Sequence, residues 1–200
     1  MQFKDLFLTK GLDKCKFDIL SYTPKIIKVS KKDRFQAWIK YSHGLSIFNR
    51  QFVTNVQGLG KIDIALLKNE SKYRKISEID YTSDIKKLYD YDVILSQLWV
   101  FGCYEIIRTL SQLFGSNQNF NNLIKETKLV KSLFERLRIP LAKFEAQKDH
   151  KVIDYGFGIP VHSPKYGIGW VINDKLAISR NYLAFMFLGL LDFLQSNAKK

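Results

Sequence analysis

The sequence predicts an α+β fold that is mainly helical, with a long antiparallel helical hairpin at its centre, small flanking β hairpins and a C-terminal helix. Three observations support this prediction. Residues 92–114 form one long apolar stretch, residues 121–144 repeat apolar side chains at helical spacing, and the chain after residue 155 is punctuated by Gly and Pro. Apolar spacing of three and four residues indicates helix, whereas Gly and Pro mark turns between strands.

The first helix of the hairpin contains Asp92–Phe114, DVILSQLWVFGCYEIIRTLSQLF. Ser83 or Asp84 can cap its N-terminus, and Gly115 with the polar residues after it ends the helix. It would then be roughly 45 Å long at about 1.5 Å per residue. A helix this apolar is either a core helix or a membrane span, and charges at Glu105 and Arg108 would be costly in lipid. We therefore expect a core helix.

The second helix begins at Asn121 or Asn122 after a short connection, which predicts an antiparallel hairpin. Pro140 lies inside its apolar repeat and removes a backbone donor, so we expect a kink or a break there. One face of this helix carries the apolar side chains Leu123, Val130, Leu133, Phe134, Leu137, Leu141 and Phe144.

The N-terminal part, residues 1–82, is expected to be α+β. The pattern predicts a short helix at Gln2–Leu8, a short strand at Ile26–Val29 and an amphipathic helix after Asp33, which would be its N-cap. Ile62, Ile64 and Leu66 alternate with less apolar residues. This alternation predicts a β hairpin. Its arms would be Gln51–Val56 and Lys61–Leu67, joined through Gln57–Gly60.

The polar residues 68–83 are the best candidate boundary, as a surface loop, between residues 1–82 and a helical part at residues 83–200. We expect the two parts to form one compact domain. In the second part, Trp170–Ile172 and Leu176–Ile178 predict a tight β hairpin. Ser179 then caps a last helix that reaches about Ser196.

Charge gives the leading functional prediction. The chain has 32 Lys and Arg against 19 Asp and Glu, a net charge of +13, spread as +8 (16 − 8) over residues 1–82 and +5 (16 − 11) over residues 83–200. Such a surplus favours nucleic acid or an anionic membrane surface as a partner, although compositional drift in a Lys-rich chain would also produce it. We predict a nucleic-acid-binding protein whose contacts include Arg50, Arg74, Arg136, Arg138 and Lys143.

Two alternatives stay open. Glu105 and Arg108 are three residues apart on one helix and form either a structural ion pair or the lining of a polar pocket in an enzyme or small-molecule binder. With His162 in a loop, they are the candidate catalytic residues. The other alternative is a protein-interaction module, in which the helical hairpin forms a homo-oligomer.

The sequence contains no phosphate-binding loop, nucleophile elbow or dinucleotide-binding motif. Its three histidines and two cysteines (His43, His150, His162, Cys15 and Cys103) have no metal-ligand spacing, so we expect no metal and no cofactor. The N-terminus has no secretory-signal pattern, and the apolar run Tyr182–Leu194 is too short to cross a bilayer. We expect a cytoplasmic protein without membrane contact.

Overall fold

A computed structural model describes residues 30–73, 83–163 and 166–197. The predicted helix at Gln2–Leu8 and strand at Ile26–Val29 lie outside these residues. The described part contains five α-helices and three strands, with short 3₁₀ turns at residues 45–47, 118–120 and 148–150. In chain order they are α1 (Lys31–Gly44), α2 (Arg50–Tyr73), α3 (Ser83–Ser116), α4 (Asn121–Lys143), β1 (Ile159–Ser163), β2 (Gly167–Asn173), β3 (Leu176–Ser179) and α5 (Arg180–Asn197). The fold is α+β and mainly helical, as predicted.

Helix α1 begins one residue after Ser30, which is its N-cap. The Ser30 hydroxyl accepts a hydrogen bond from the backbone N–H of Asp33 (3.2 Å) and donates one to its carboxylate (2.6 Å). The predicted cap, Asp33, is therefore the third helical residue, and its carboxylate accepts from the hydroxyl of the actual cap. The helix ends at Gly44, and a 3₁₀ turn follows.

The predicted β hairpin at residues 51–67 is wrong, because Arg50–Tyr73 is one continuous helix. Ile62, Ile64 and Leu66 do alternate, but burial follows the helical period of three and four. The buried positions are Phe52, Val56, Leu59, Gly60, Asp63, Leu66 and Glu70. Gly60 suits close packing of two helices rather than a turn, because a Cβ there would lie 2.7 Å from the Cβ of Trp38 in α1. The first residues of the predicted loop, 68–73, belong to this helix as well.

The central helical hairpin is confirmed. Helices α3 and α4 pack along each other across the connection at residues 117–120, and α4 begins at Asn121. Helix α4 continues past Pro140 to Lys143, and Phe144 then takes a left-handed backbone conformation (φ 57°). The predicted break therefore falls one turn later, since a proline near a helix end removes only one of the last backbone hydrogen bonds.

The strands form an antiparallel sheet in the order β1-β2-β3. The hairpin β2-β3 is the one predicted around residues 173–175, whereas β1 was not predicted. Ser179 caps α5 as expected, because its hydroxyl accepts from the backbone N–H of Tyr182 (3.0 Å).

Helix α5 lies in the middle of the fold, where α1, α3, α4 and the sheet all pack against it. Its fully buried side chains include Leu183, Ala184, Phe187, Leu188, Leu190, Leu191 and Leu194. The Phe187 ring contacts Trp38 of α1 and Phe134 of α4, and Trp38 contacts Trp99 of α3. One hydrophobic core therefore includes residues from both sides of the predicted boundary near residue 82.

Helix α3 is long and apolar enough over Ile85–Ser116 to cross a membrane by length and composition alone. In this structure Trp99, Cys103 and Ile107 on one of its faces are fully buried in the core. Its opposite face exposes Tyr91, Ile94 and Leu98 at a spacing of three and four residues.

Candidate nucleic-acid interface

Helix α2 carries its acidic and basic side chains on opposite faces. Arg50, Lys61, Lys68 and Lys72 fall within about 40° of one another around the helix, at about 100° per residue. Asp63 and Glu70 lie roughly 200–220° from Arg50 on the same projection. Both acids are fully buried and all four basic side chains are exposed.

Asp63 is bound by side chains from two other helices. Arg34 of α1 donates to both of its carboxylate oxygens, from Nε at 2.7 Å and from Nη2 at 2.8 Å. The Trp38 indole N–H donates to the same carboxylate at 2.9 Å. Arg180, the first residue of α5, also donates to Asp63. The carboxylate thus ties α1 and α5 to α2 within the core.

Glu70 joins α2 to the sheet and to α5. It accepts hydrogen bonds from Arg180 (2.9 Å) and from the backbone N–H of Ile168 in β2 (3.3 Å). Gly167 passes so close that an added Cβ would lie 2.5 Å from the Glu70 carboxylate. Its φ of +72° is also one that residues with side chains rarely adopt. Glycine at position 167 therefore lets β2 reach Glu70.

We call Arg34, Asp63, Glu70 and Arg180 the inner ionic cluster; its two positive and two negative charges balance. Burial raises the pKa of Asp63, but the charges and hydrogen bonds of Arg34 and Arg180 outweigh it and hold that pKa below its usual range. Burial lowers the pKa of Arg180, and the charges of Glu70 and Asp63 more than reverse this. Both shifts favour the charged forms of Asp63 and Arg180, and each of these buried charges has a close partner of opposite sign.

Asp92 of α3 is a further buried carboxyl beside the cluster. It accepts a hydrogen bond from Asn69 of α2 at 3.0 Å. Burial raises its pKa, and the negative charge of Glu70 raises it further. Asp92 differs in this respect from Asp63, whose pKa falls because two arginines contact it.

The exposed face of α2 bears the basic row, which we define as Arg50, Lys61, Lys68 and Lys72. Among the ion pairs between described residues, none includes a member of this row. The two acids of α2 cannot neutralise the row, because both face the core and bind arginines there. The charged side chains on the outer surface of α2 are therefore all cationic.

A groove lies beside the basic row, between α2 and α3. It has a volume of about 540 Å³ and is open to solvent. Its lining is apolar at the base and polar at the edges, formed by Phe52, Thr54, Asn55, Gly58, Leu59, Ile62, Gly102, Glu105, Ile106 and Thr109.

Glu105 and Arg108 lie on the solvent side of α3. Their side chains are 51% and 39% exposed, and Arg108 Nε donates to the Glu105 carboxylate at 2.7 Å. Arg108 also donates to Gln112 (3.0 Å). The pair is exposed because only one side of α3, the predicted core helix, faces the core. Glu105 additionally lines the groove, whereas Arg108 does not.

The other predicted nucleic-acid contacts do not extend the basic row. Arg136 forms a two-pronged pair with Asp154 (2.7 and 2.9 Å), which keeps the pKa of that carboxyl low against the effect of burial. Arg138 lies over the Tyr104 ring, with 5.1 Å from its guanidinium carbon to the ring centroid. Lys143 is exposed and 3.9 Å from Glu145. All three basic residues belong to α4, which packs on α3 rather than on α2.

Arg74 lies outside the described residues, so of the predicted contacts only Arg50 belongs to the basic row. Lys61, Lys68 and Lys72 were missed, although their spacing gives a signal. They follow Arg50 by 11, 18 and 22 residues, which returns each of them to one side of a helix. These residues align only on a helix, so the predicted hairpin at residues 51–67 did not show their alignment.

The three candidate catalytic residues do not form one site. His162 is half-buried on β1, where its ring contacts Tyr89 of α3 with 6.4 Å between ring centroids. Tyr89 precedes Glu105 by 16 residues, or about 24 Å along the helix. Over residues 30–73, 83–163 and 166–197, no group of three or more His, Cys, Asp and Glu could hold a metal ion. No family model, curated protein or solved structure matches this chain.

Proposed function

We propose that the protein binds nucleic acid, and that the basic row of α2 provides its main phosphate contacts. The observation that carries this proposal is the separation of charge across α2. Its only acids, Asp63 and Glu70, are fully buried and paired with arginines, so nothing on the helix offsets the four exposed cations.

The geometry of the row suits a polyanion. Arg50 and Lys72 are 22 residues apart, which corresponds to about 33 Å along the helix. A phosphate backbone carries negative charge continuously over that distance, and each lysine or arginine that meets a phosphate releases condensed counterions. Arg50 also stands at the N-terminus of α2, where the helix dipole favours an anion.

The four basic residues of α2 lie within one narrow arc, which also holds most of the exposed positions of the helix, so their charges are presented together on one surface. The contacts that such a row makes are to phosphates and carry no sequence information, so the basic row by itself gives no sequence preference.

A mobility shift of labelled RNA, single-stranded DNA and duplex DNA tests the proposal. Binding is expected at low salt and should weaken steeply at moderate salt, because phosphate contacts dominate it. Absence of a shift for every probe at low salt, with folded protein, would contradict the proposal.

A matched pair of variants then assigns the surface. One variant carries Lys61→Gln, Lys68→Gln and Lys72→Gln. The control carries Lys125→Gln, Lys128→Gln and Lys175→Gln, three exposed lysines on α4 and in the β2–β3 turn. Both variants lose the same net charge, so only a difference between them reports on the basic row. We expect the first variant to bind markedly more weakly than the control.

A further inference from the structure

Among the described residues, no contact requires glycine at position 58. Gly58 lies in the interior of α2, where glycine costs about 1 kcal/mol relative to alanine. The neighbouring glycines are explained by packing, since a Cβ at Gly60 would meet Trp38 at 2.7 Å and one at Gly102 would meet Leu59 at 2.8 Å. At Gly58 an added Cβ would have no described atom within 4 Å. The open space that it faces is the groove between α2 and α3.

The groove has the size and the mixed lining of a binding site for a partly polar molecule. Its volume of about 540 Å³ lies within the range of roughly 300–1,000 Å³ that is usual for ligand clefts. The base is formed by Leu59, Ile62 and Ile106. At the edges, Thr54, Asn55, Glu105 and Thr109 provide hydrogen-bonding groups.

The surrounding charges indicate which molecule fits. Arg50 lies two residues before Phe52, the first groove residue of α2, and Lys61 lies one residue before Ile62, the last, so the basic row runs along the helix beside the groove. Glu105 places a negative charge on its α3 edge. A nucleotide within a strand has the complementary pattern, with phosphates on either side of an apolar base face and amino groups on the base edge.

We propose that the groove binds one unpaired base of a single strand while the basic row holds the flanking phosphates. This inference rests on the proposed function and adds a preference for single strands over duplex. Glu105 would accept a hydrogen bond from a base amino group, such as N4 of cytosine. Thymine has no such amino group, so cytosine is expected to bind better.

Fluorescence anisotropy with three labelled dodecamers tests the inference: oligo(dC), oligo(dT) and a strand of the same length without bases. The informative variant is Gly58→Phe, whose ring would occupy the groove. Gly58→Ala, which adds only a methyl group, is its matched control. Wild type and Gly58→Ala should bind oligo(dC) about ten-fold or more tighter than the abasic strand. Gly58→Phe should bind oligo(dC) only as tightly as the abasic strand, with abasic binding unchanged.

Glu105→Gln provides a second readout that does not depend on filling the groove. Because a neutral amide can also donate to thymine, this variant should lose the preference for oligo(dC) over oligo(dT). Thermal unfolding of each variant confirms that it is folded.

The outcomes separate the two proposals. If wild type binds oligo(dC) and the abasic strand equally well, or if Gly58→Phe binds oligo(dC) like wild type, the groove does not take a base. The proposed function then stands on phosphate contacts alone. If no strand and no duplex binds at low salt, the proposed function is wrong and the groove inference fails with it.

Discussion

The inner and outer faces of α2 differ in the sign of their charges and in whether those charges are paired. Inside, Asp63 and Glu70 are held by arginines from α1 and α5 at hydrogen-bonding distance. Outside, the lysines of the basic row are exposed and carry no described ion pair. The inner charges join elements of the fold, whereas the outer charges face solvent.

The residue types match these two roles. Arginine has a planar group that binds a carboxylate through two hydrogen bonds, which suits the buried contact between Arg34 and Asp63. Lysine has a compact and strongly hydrated charge, which suits an exposed position. The comparison teaches that the position of a charge in this helix, rather than the net charge of the chain, indicates what it does.

The largest loss of stability is expected from a substitution in the inner ionic cluster. Asp63→Asn removes one carboxylate and leaves Arg34 and Arg180 with Glu70 as the single remaining acid of the cluster. Breaking a buried ionic group in this way costs about 3–5 kcal/mol, so the free energy of unfolding should fall by that amount in a urea titration. A loss below about 1 kcal/mol would show that the inner ionic cluster does not stabilise the fold.

Acid should reduce the stability that the inner ionic cluster gives to the wild-type protein. The pKa of Asp63 is lower in the folded protein than in the unfolded chain, so its stabilisation is complete above the unfolded value of about 3.9. That stabilisation is lost as pH falls through the folded pKa. Below about pH 4, the free energy of unfolding should therefore decline more steeply in wild type than in Asp63→Asn. Parallel declines would contradict this role.

Alanine substitutions at two glycines of α2, Gly58 and Gly60, compare the two faces by adding one methyl group to each. Gly60→Ala pushes a Cβ against Trp38 on the inner side and should destabilise the protein by about 1–3 kcal/mol. Gly58→Ala adds the same group on the open side and should stabilise it by about 0.5–1 kcal/mol through better helix propensity. Chemical denaturation of both variants measures the difference, and equal effects would disprove the assigned surroundings.

The smallest effect is expected at the exposed pair on α3. Glu105→Gln breaks the contact with Arg108, but both side chains are well exposed to solvent. Such pairs contribute about 0–1 kcal/mol, so the unfolding midpoint in urea should barely move. A loss comparable to that of Asp63→Asn would mean that this pair, and not the inner cluster, fixes the packing.

Much of the architecture could be predicted from the sequence because local signals were strong there. Residues 92–114 are apolar, Gly115 follows them, and Ser179 stands before a second apolar run. These signals gave the long helix, the hairpin and the final helix. The predicted β hairpin at residues 51–67 is wrong because the alternation of Ile62, Ile64 and Leu66 also fits a helix in which Asp63 faces the core. Only the arginines of α1 and α5 make an inward-facing Asp63 favourable, and no local pattern reveals them.

The candidate site was harder to predict for the same reason. Buried charges depend on partners far away in the chain, such as Arg180 for Asp63, 117 residues apart. The sequence therefore drew attention to Glu105 and Arg108, which are close together in the chain but exposed. Once α2 is known to be a helix, the spacing of Arg50, Lys61, Lys68 and Lys72 identifies the basic row directly.

The salt dependence of binding tests the central claim most directly, namely that the outer face of α2 binds phosphates. The dissociation constant for a duplex should be measured from low to moderate salt for wild type, for the Lys61, Lys68 and Lys72 variant, and for the Lys125, Lys128 and Lys175 control. Each lost phosphate contact reduces the slope of log K against log salt by about 0.9. We expect a reduction of about 2–3 for the first variant and little change for the control. Equal slopes in the two variants would contradict the claim.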